Sequence, residues 1–292
     1  MKQSAGIIGC GRAGHHLAFQ LQNNGWPVCG LWDLREETAR EACDTMGIPM
    51  LSPETMADKA DILFLALPDD SIAHACSELA CKGVFRPGQI IFHLSGSQSS
   101  DLLTPAAKQG AFIGSFHPLQ SFAKTLNQTD NPFQSILITV EGMPEAVATG
   151  LTMAERLGAR GITIAAETKV LYHAAAVVAS NYLVTLMDTA FELLDASGID
   201  SSRAMSFLSP LVNGTLSNLH RMSPAAALTG PLVRGDTETL TRHLKAMKEK
   251  CPEHCRLYRE LGHATLHIAE KGSHLSQERA DAIRMVLAKR DA

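Results

Sequence analysis

Three groups of residues in this 292-residue chain have types and spacings that can do chemistry. The first is Gly9-Cys10-Gly11-Arg12-Ala13-Gly14, set between an apolar run and a helix-forming stretch. Glycine at its three positions lets a strand turn sharply into a helix, brings the backbone close to a bound group and lets helix and strand pack tightly. The unpaired amides of Arg12 and Ala13 at the helix start then suit a diphosphate. The second group is Ser95 with Gly96, and His117 before Pro118. A serine or imidazole at a strand end is the kind of donor needed where hydride adds to a C=O or C=N carbon and charge develops on the heteroatom. The third is Lys169, His173, Ser180 and Asn181 on one helical stretch. His173 and Ser180 fall two turns apart and share a face at ~100° per residue.

Each candidate has a structural reading beside the chemical one. His117 is the leading proton donor or substrate ligand, against a loop-fixing imidazole. His173 competes with a core or subunit-interface histidine. Lys169 is an alternative donor, but the expectation is a solvated lysine near a helix start. Asn181 aligns with Thr185, Asp188, Glu192 and Asp195 on a polar stripe that reads equally as the wet face. Arg234, between Gly230-Pro231 and Gly235-Asp236, can clamp a substrate carboxylate bidentately, while Asp236 pairs with it or caps a helix beginning at Thr237.

Elements that position these groups follow from hydrophobic patterning. Short apolar runs at 5–9, 28–33, 62–67, 89–94, 111–116, 135–140 and 161–165 read as strands. The run at 61–68 is almost continuously apolar, as a parallel strand covered on both faces requires. Helical stretches at 12–24, 36–46, 71–81 and 144–157 alternate with them, which predicts an α/β fold with a doubly wound, mostly parallel Rossmann sheet. Beyond residue 166 strands cease. One long helix is expected over 167–197 and others over 201–217, 236–250, 252–271 and 276–289, with turns at Gly230-Pro231 and Gly272-Ser273. The predicted domains are therefore 1–165, a nucleotide-binding sheet, and 166–292, all helical.

Open sheets bind ligands at their carboxyl edges. Asp33, ending the second strand, can accept hydrogen bonds from ribose hydroxyls and repel a 2′-phosphate, which favours NAD; Arg35 offers a phosphate its guanidinium, so NADP stays open. Leu67, Pro68 and Asp69 form a loop placed to lie across the dinucleotide, with Asp69 equally suited to cap the next helix.

Composition narrows the remaining classes. Hydrophobic residues make up 45% and charged residues 19%, which excludes disorder and low complexity. A net charge of −4 without a basic stripe argues against nucleic acid. The apolar start of the chain is short and glycine-interrupted, so neither a signal peptide nor a membrane span is expected. Seven dispersed cysteines fit reduced thiols in the cytoplasm. Cys251-Pro-Glu-His-Cys255 lacks a second ligand pair, so no metal is expected there.

Four segments together resemble the Rossmann-like oxidoreductase family whose C-terminal half is the domain of unknown function numbered 2520. These are Gly9–Gly14, Gly114-Ser115-Phe116-His117-Pro118-Leu119-Gln120-Ser121-Phe122, the stretch from Tyr172-His173 to Ser180-Asn181-Tyr182, and Leu228-Thr229-Gly230-Pro231-Leu232-Val233-Arg234-Gly235-Asp236. The family is similar in layout to pyrroline-5-carboxylate reductases, ketopantoate reductases and β-hydroxyacid dehydrogenases. The resemblance implies a nicotinamide cofactor and a homodimer formed through the helical domain. In two of those groups a Lys followed four residues later by Asn serves the chemistry; here Lys169 is followed by His173. The expected activity is NAD(P)-dependent hydride transfer to or from a small carbonyl or imine, a 2-oxo acid such as ketopantoate being the concrete example. A dinucleotide-binding redox sensor or interaction protein without catalysis is the alternative.

Overall fold

The computed structural model describes residues 3–123, 130–272 and 275–288. The chain divides into two compact units, Met1–Asn181 and Tyr182–Ala292.

The first unit is built on seven strands: β1 (Ala5–Ile8), β2 (Val28–Trp32), β3 (Ile62–Leu65), β4 (Ile90–His93), β5 (Phe112–Pro118), β6 (Leu137–Gly142) and β7 (Arg160–Thr163). All seven coincide with strands expected from patterning. Their order is β2-β1-β3-β4-β5-β6-β7, with β6 antiparallel to β5 and every other pair parallel. The apolar runs of β1 and β3, and β4 with its terminal His93, are buried at every position, because helices cover both faces. Phe64, Phe92 and Phe116 pack ring to ring below the sheet, Phe64 and Phe92 with centroids 5.4 Å apart. Since β2 and β3 flank β1 on opposite sides, the winding reverses at β1, and a crevice opens above the ends of β1 and β3.

The helices of this unit are α1 (Arg12–Asn23), α2 (Glu36–Met46), α3 (Pro53–Lys59), α4 (Asp69–Cys81), α5 (Thr104–Ala107), α6 (Pro144–Arg156) and α7 (Lys169–Ala179). Patterning did not reveal α3 or α5. The former is only seven residues long, started by Ser52, whose hydroxyl accepts from Thr55 N, and by Pro53.

The single helix expected over 167–197 divides into α7 and α8 (Asn181–Ala196) at Ser180, whose φ of −115° and ψ of −66° distort the right-handed backbone although its N–H still donates to Ala176 O at 3.0 Å. By packing, α7 belongs to the sheet unit, so the compact unit runs past the expected division at 165/166. A change in residue pattern marks where strands stop, not which core the next helix joins. The stretch Ala166–Ala196 also has the length and composition of a membrane-crossing helix, which reading the sequence for uninterrupted apolar runs passed over.

The second unit contains α9 (Ala204–Arg221), α10 (Pro224–Ala227), α11 (Pro231–Arg234), α12 (Thr237–Lys250), α13 (Cys255–Lys271) and α14 (Gln277–Ala288), with nearly all of α8. Leu240, Leu266, Ala280, Ile283 and Leu287 form its small core. The turn expected at Gly230-Pro231 opens α11, with Gly230 at φ +99°. Ser273 of the other expected turn, and residue 289 at the end of the last expected helix, lie outside the described residues. No residue of α8 is buried, and Leu183, Val184, Phe207 and Leu211 of α8 and α9 are exposed.

Candidate active site

The glycine turn closes β1 onto α1. A Cβ on Gly9, at φ +104°, would stand 2.2 Å from the Ala66 carbonyl oxygen, and one on Gly14 would stand 2.0 Å from that of Gly9. Both glycines are demanded by the fold itself. Gly11 is different: its φ is −63°, and a Cβ there meets nothing within 4 Å. Open space at the one glycine that packing does not need is the cradle a diphosphate fits. The start of α1 has no side-chain cap and no acid in its first turn, so its amides are available to an anion. Burial pushes the pKa of the turn's Cys10 up to about 12, which holds it as the thiol at pH 7.

Asp33 has a structural task that the sequence did not disclose. Its carboxylate accepts from Cys10 N at 2.8 Å and from Arg35 N at 2.9 Å, tying the turn to the end of β2. Arg35 is exposed, with Nε 3.8 Å from Asp33 Oδ1. Trp32, Asp33, Leu34 and Leu51 line a recess of about 390 Å³. Across the crevice, Leu67 leads to Pro68, which is the N-cap of α4, so Asp69 lies in the first turn and does not cap the helix through its side chain. Its carboxylate instead accepts from Ser97 Oγ at 2.8 Å.

Between the turn and α7 lies a cleft of about 750 Å³, lined among others by Arg12, Ala13, His117, Tyr172, His173 and Asn181. Ser180 reaches the same cleft. All of its lining belongs to the first unit. His117 Nδ1 is 3.0 Å from the Tyr172 hydroxyl, and the two rings meet edge to face. The two imidazoles meet edge to face with centroids 6.0 Å apart, and Gly96 lies against both: a Cβ there would be 2.7 Å from His117 Nε2 and from His173 Nδ1. His173 Nδ1 is buried with no hydrogen-bond partner. Burial, then the charge of Lys169 and the neighbouring His173, push the His117 pKa down to about 4, so its ring is neutral at pH 7.

Lys169 corrects the expectation of a solvated lysine. It is wholly buried; Nζ donates to Ser115 Oγ at 2.6 Å and to the Ser95 carbonyl at 3.4 Å. Burial lowers its pKa, with Glu141 and Asp69 opposing. Glu141 does not touch the amine: it accepts from the backbone and hydroxyl of Ser100 at 2.9 and 2.6 Å. Ser115 was missed although β5 alternates, which puts it on the same face as His117. The Ser95 hydroxyl accepts from Ser97 N and Gln98 N at 3.2 and 3.1 Å, shaping its own turn outside the cleft lining, and its carbonyl takes the lysine.

Arg234 is exposed at the end of α11 in the second unit, where its carbonyl accepts from Arg279 Nη1 at 3.4 Å. Asp236 caps α12, accepting from Thr239 N at 3.0 Å, as the structural reading of that turn expected.

A doubly wound sheet with a glycine turn at its switch point defines a Rossmann-like protein, and residues 1–118 match the Rossmann-like domain. Residues 136–265 match DUF2520, a domain of unknown function, so the chain joins these two domains as its motifs implied. No curated protein matches the sequence. Among solved structures, a Bacteroides fragilis protein provisionally described as an NADP oxidoreductase has a TM-score of 0.77 at 23% identity, covering 91% of this chain and 98% of its own. A reductive aminase from Aspergillus terreus, in complex with NADPH and ethyl-5-oxohexanoate, has a TM-score of 0.59 at 15% identity, covering 98% of this chain and 93% of its own. A pyrroline-5-carboxylate reductase from Coxiella burnetii has a TM-score of 0.59 at 15% identity, covering 95% and 100%. At these identities the likeness is one of fold.

Proposed function

We propose that the chain is an NAD(P)-dependent oxidoreductase acting on a small carbonyl or imine. One observation carries this reading: Arg12 and Ala13 of the glycine turn and the imidazoles of His117 and His173 line a single cleft. A bound nicotinamide would supply or take up the hydride. The α1 amides and Gly11 would hold its diphosphate, and a carboxylate at the end of β2, Asp33, makes NAD our first choice over NADP. The fold-level likeness to a protein crystallised with NADPH keeps both forms in view. His117 and His173 would meet the charge that develops on the substrate heteroatom, which then takes its proton from water. A 2-oxo or imino acid is the substrate class we put first; ketopantoate itself rests on resemblance alone.

We further propose a cytoplasmic homodimer, its subunits joined through the exposed apolar residues of α8 and α9. A bilayer role for the Ala166–Ala196 stretch fits less well, because Lys169 is buried against the sheet unit and Tyr172 and His173 face its cleft.

Fluorescence titration with NADH and NADPH, followed by a screen of keto acids with and without ammonia at 340 nm, tests the activity. Saturable binding with turnover is expected. No saturable binding of either cofactor overturns the reading; tight binding without turnover moves the chain to the sensor class. Sedimentation at micromolar concentration tests the dimer, which a strictly monomeric species would refute.

A further inference from the structure

We propose that Tyr172 is a positioning residue: its phenol fixes His117 as the tautomer protonated at Nε2, so that a neutral imidazole presents an N–H donor to the substrate heteroatom. This rests on the reductase reading above. It adds a residue to which the sequence assigned no role.

Geometry makes the assignment. His117 Nδ1 and the Tyr172 oxygen are 3.0 Å apart, and Nε2 is the nitrogen that approaches Gly96 beside the unpartnered His173 Nδ1. A neutral imidazole has one N–H, so whichever nitrogen accepts, the other must donate. A phenol is a far better donor than acceptor, and burial pushes the Tyr172 pKa up against the smaller opposing effect of the Thr139 side chain, which keeps its proton in place. The charged and titratable groups around His117 also favour the neutral ring. Among the described residues, Lys169, His173 and His93 act against an imidazolium, and Asp69 acts for it. The partner's role is the familiar one of setting which imidazole nitrogen is protonated through the bond made by the other. His117 thus donates a hydrogen bond rather than surrendering its proton, since surrender would leave an imidazolate.

The test has an arm that needs no activity. Two-bond proton–nitrogen correlation on protein labelled at histidine nitrogen, with His117 identified by its loss in His117→Gln, reports the tautomer at pH 7.5. The expected pattern is an unprotonated Nδ1 and a protonated Nε2 in the wild type, shifting to a mixture in Tyr172→Phe. A protonated Nδ1 in the wild type, or no change in Tyr172→Phe, overturns the proposal. In the kinetic arm Tyr172→Phe is expected to lower kcat about tenfold with KM and cofactor affinity within about twofold, roughly 1.4 kcal/mol in the barrier. His117→Gln, which keeps an amide N–H near the Nε2 position, should retain more activity than His117→Asn; the reverse order also overturns the proposal. Should no substrate turn over while the tautomer is as expected, the reductase reading fails and the tyrosine–histidine assignment stands.

Discussion

Replacing His93 with glutamine is expected to remove the His93 share of the acid sensitivity of the sheet unit, leaving that of His117 common to both proteins. His93 ends β4 wholly buried, with both ring nitrogens committed: Nδ1 accepts from Ser95 N at 3.1 Å, and Nε2 lies 3.1 Å from the Ser99 carbonyl. Only the neutral ring with its proton on Nε2 satisfies that pair, because a proton on Nδ1 would set two N–H groups against each other. Burial, then the charge of Lys169, push its pKa from 6.5 down to about 4. A folded pKa below the unfolded one means that the stabilisation is fully present above about pH 6.5 and is lost as pH falls through about 4. At about 1.4 kcal/mol per pH unit, His93 alone should cost the wild type roughly 2–3 kcal/mol between about pH 7.5 and 4.5. Glutamine, neutral throughout, costs none of it. The chain's two tryptophans, Trp26 and Trp32, both lie in the sheet unit, so urea unfolding followed by tryptophan fluorescence reports that unit. Carboxylate titrations are common to both proteins and cancel in the difference. Equal losses in wild type and His93→Gln would refute the reasoning.

Gly11→Val should fold within about 1 kcal/mol of wild type, since its side chain enters open space at an N-cap, yet weaken NAD(P)H binding at least tenfold, about 1.4 kcal/mol. Gly14→Val, by contrast, should cost about 1–3 kcal/mol or more in urea unfolding, because its Cβ collides with the Gly9 carbonyl. Unimpaired cofactor binding by Gly11→Val would show that the diphosphate lies elsewhere. Ser115→Ala, which leaves the buried Lys169 amine without its shortest bond, should destabilise by about 1–3 kcal/mol. Adding Lys169→Met should recover most of that loss in the same denaturation assay, as no buried charge is then left under-bonded. Gly96→Ala drives a methyl against both imidazoles and is expected to lower kcat by tenfold or more with cofactor affinity within about twofold, or ~0.4 kcal/mol. An unaltered kcat would detach these rings from the chemistry.

Much of this was written in local sequence. All seven strands were legible because each is a short apolar run bounded by turn residues, and β3 was legible as a central strand because nothing polar interrupts it. Gly9 and Gly14 could be assigned to the turn because their spacing falls between a strand and a helix, whereas the close approach of Ala66 that excludes a side chain at Gly9 is tertiary. Asp236 was legible as a cap because its partner, Thr239, is three residues away. The seam between α7 and α8 was not legible, since Ala166 to Ala196 is uniformly helix-forming and the interruption at Ser180 carries no proline or glycine.

The site itself divides along the same line. Patterning alone determined that a dinucleotide-type turn exists, that His117 ends a strand near it and that His173 sits on the helix beyond. Only the tertiary structure decided that Lys169 is buried on Ser115 and the Ser95 carbonyl, that the Tyr172 hydroxyl meets His117 Nδ1, and that Gly96 lies against two imidazoles in contact. These partners lie on different elements, joined because α7 packs onto the sheet. A lysine's neighbours in sequence announce a wet helix start; whether its charge meets water or a serine depends on burial, a property no local pattern encodes.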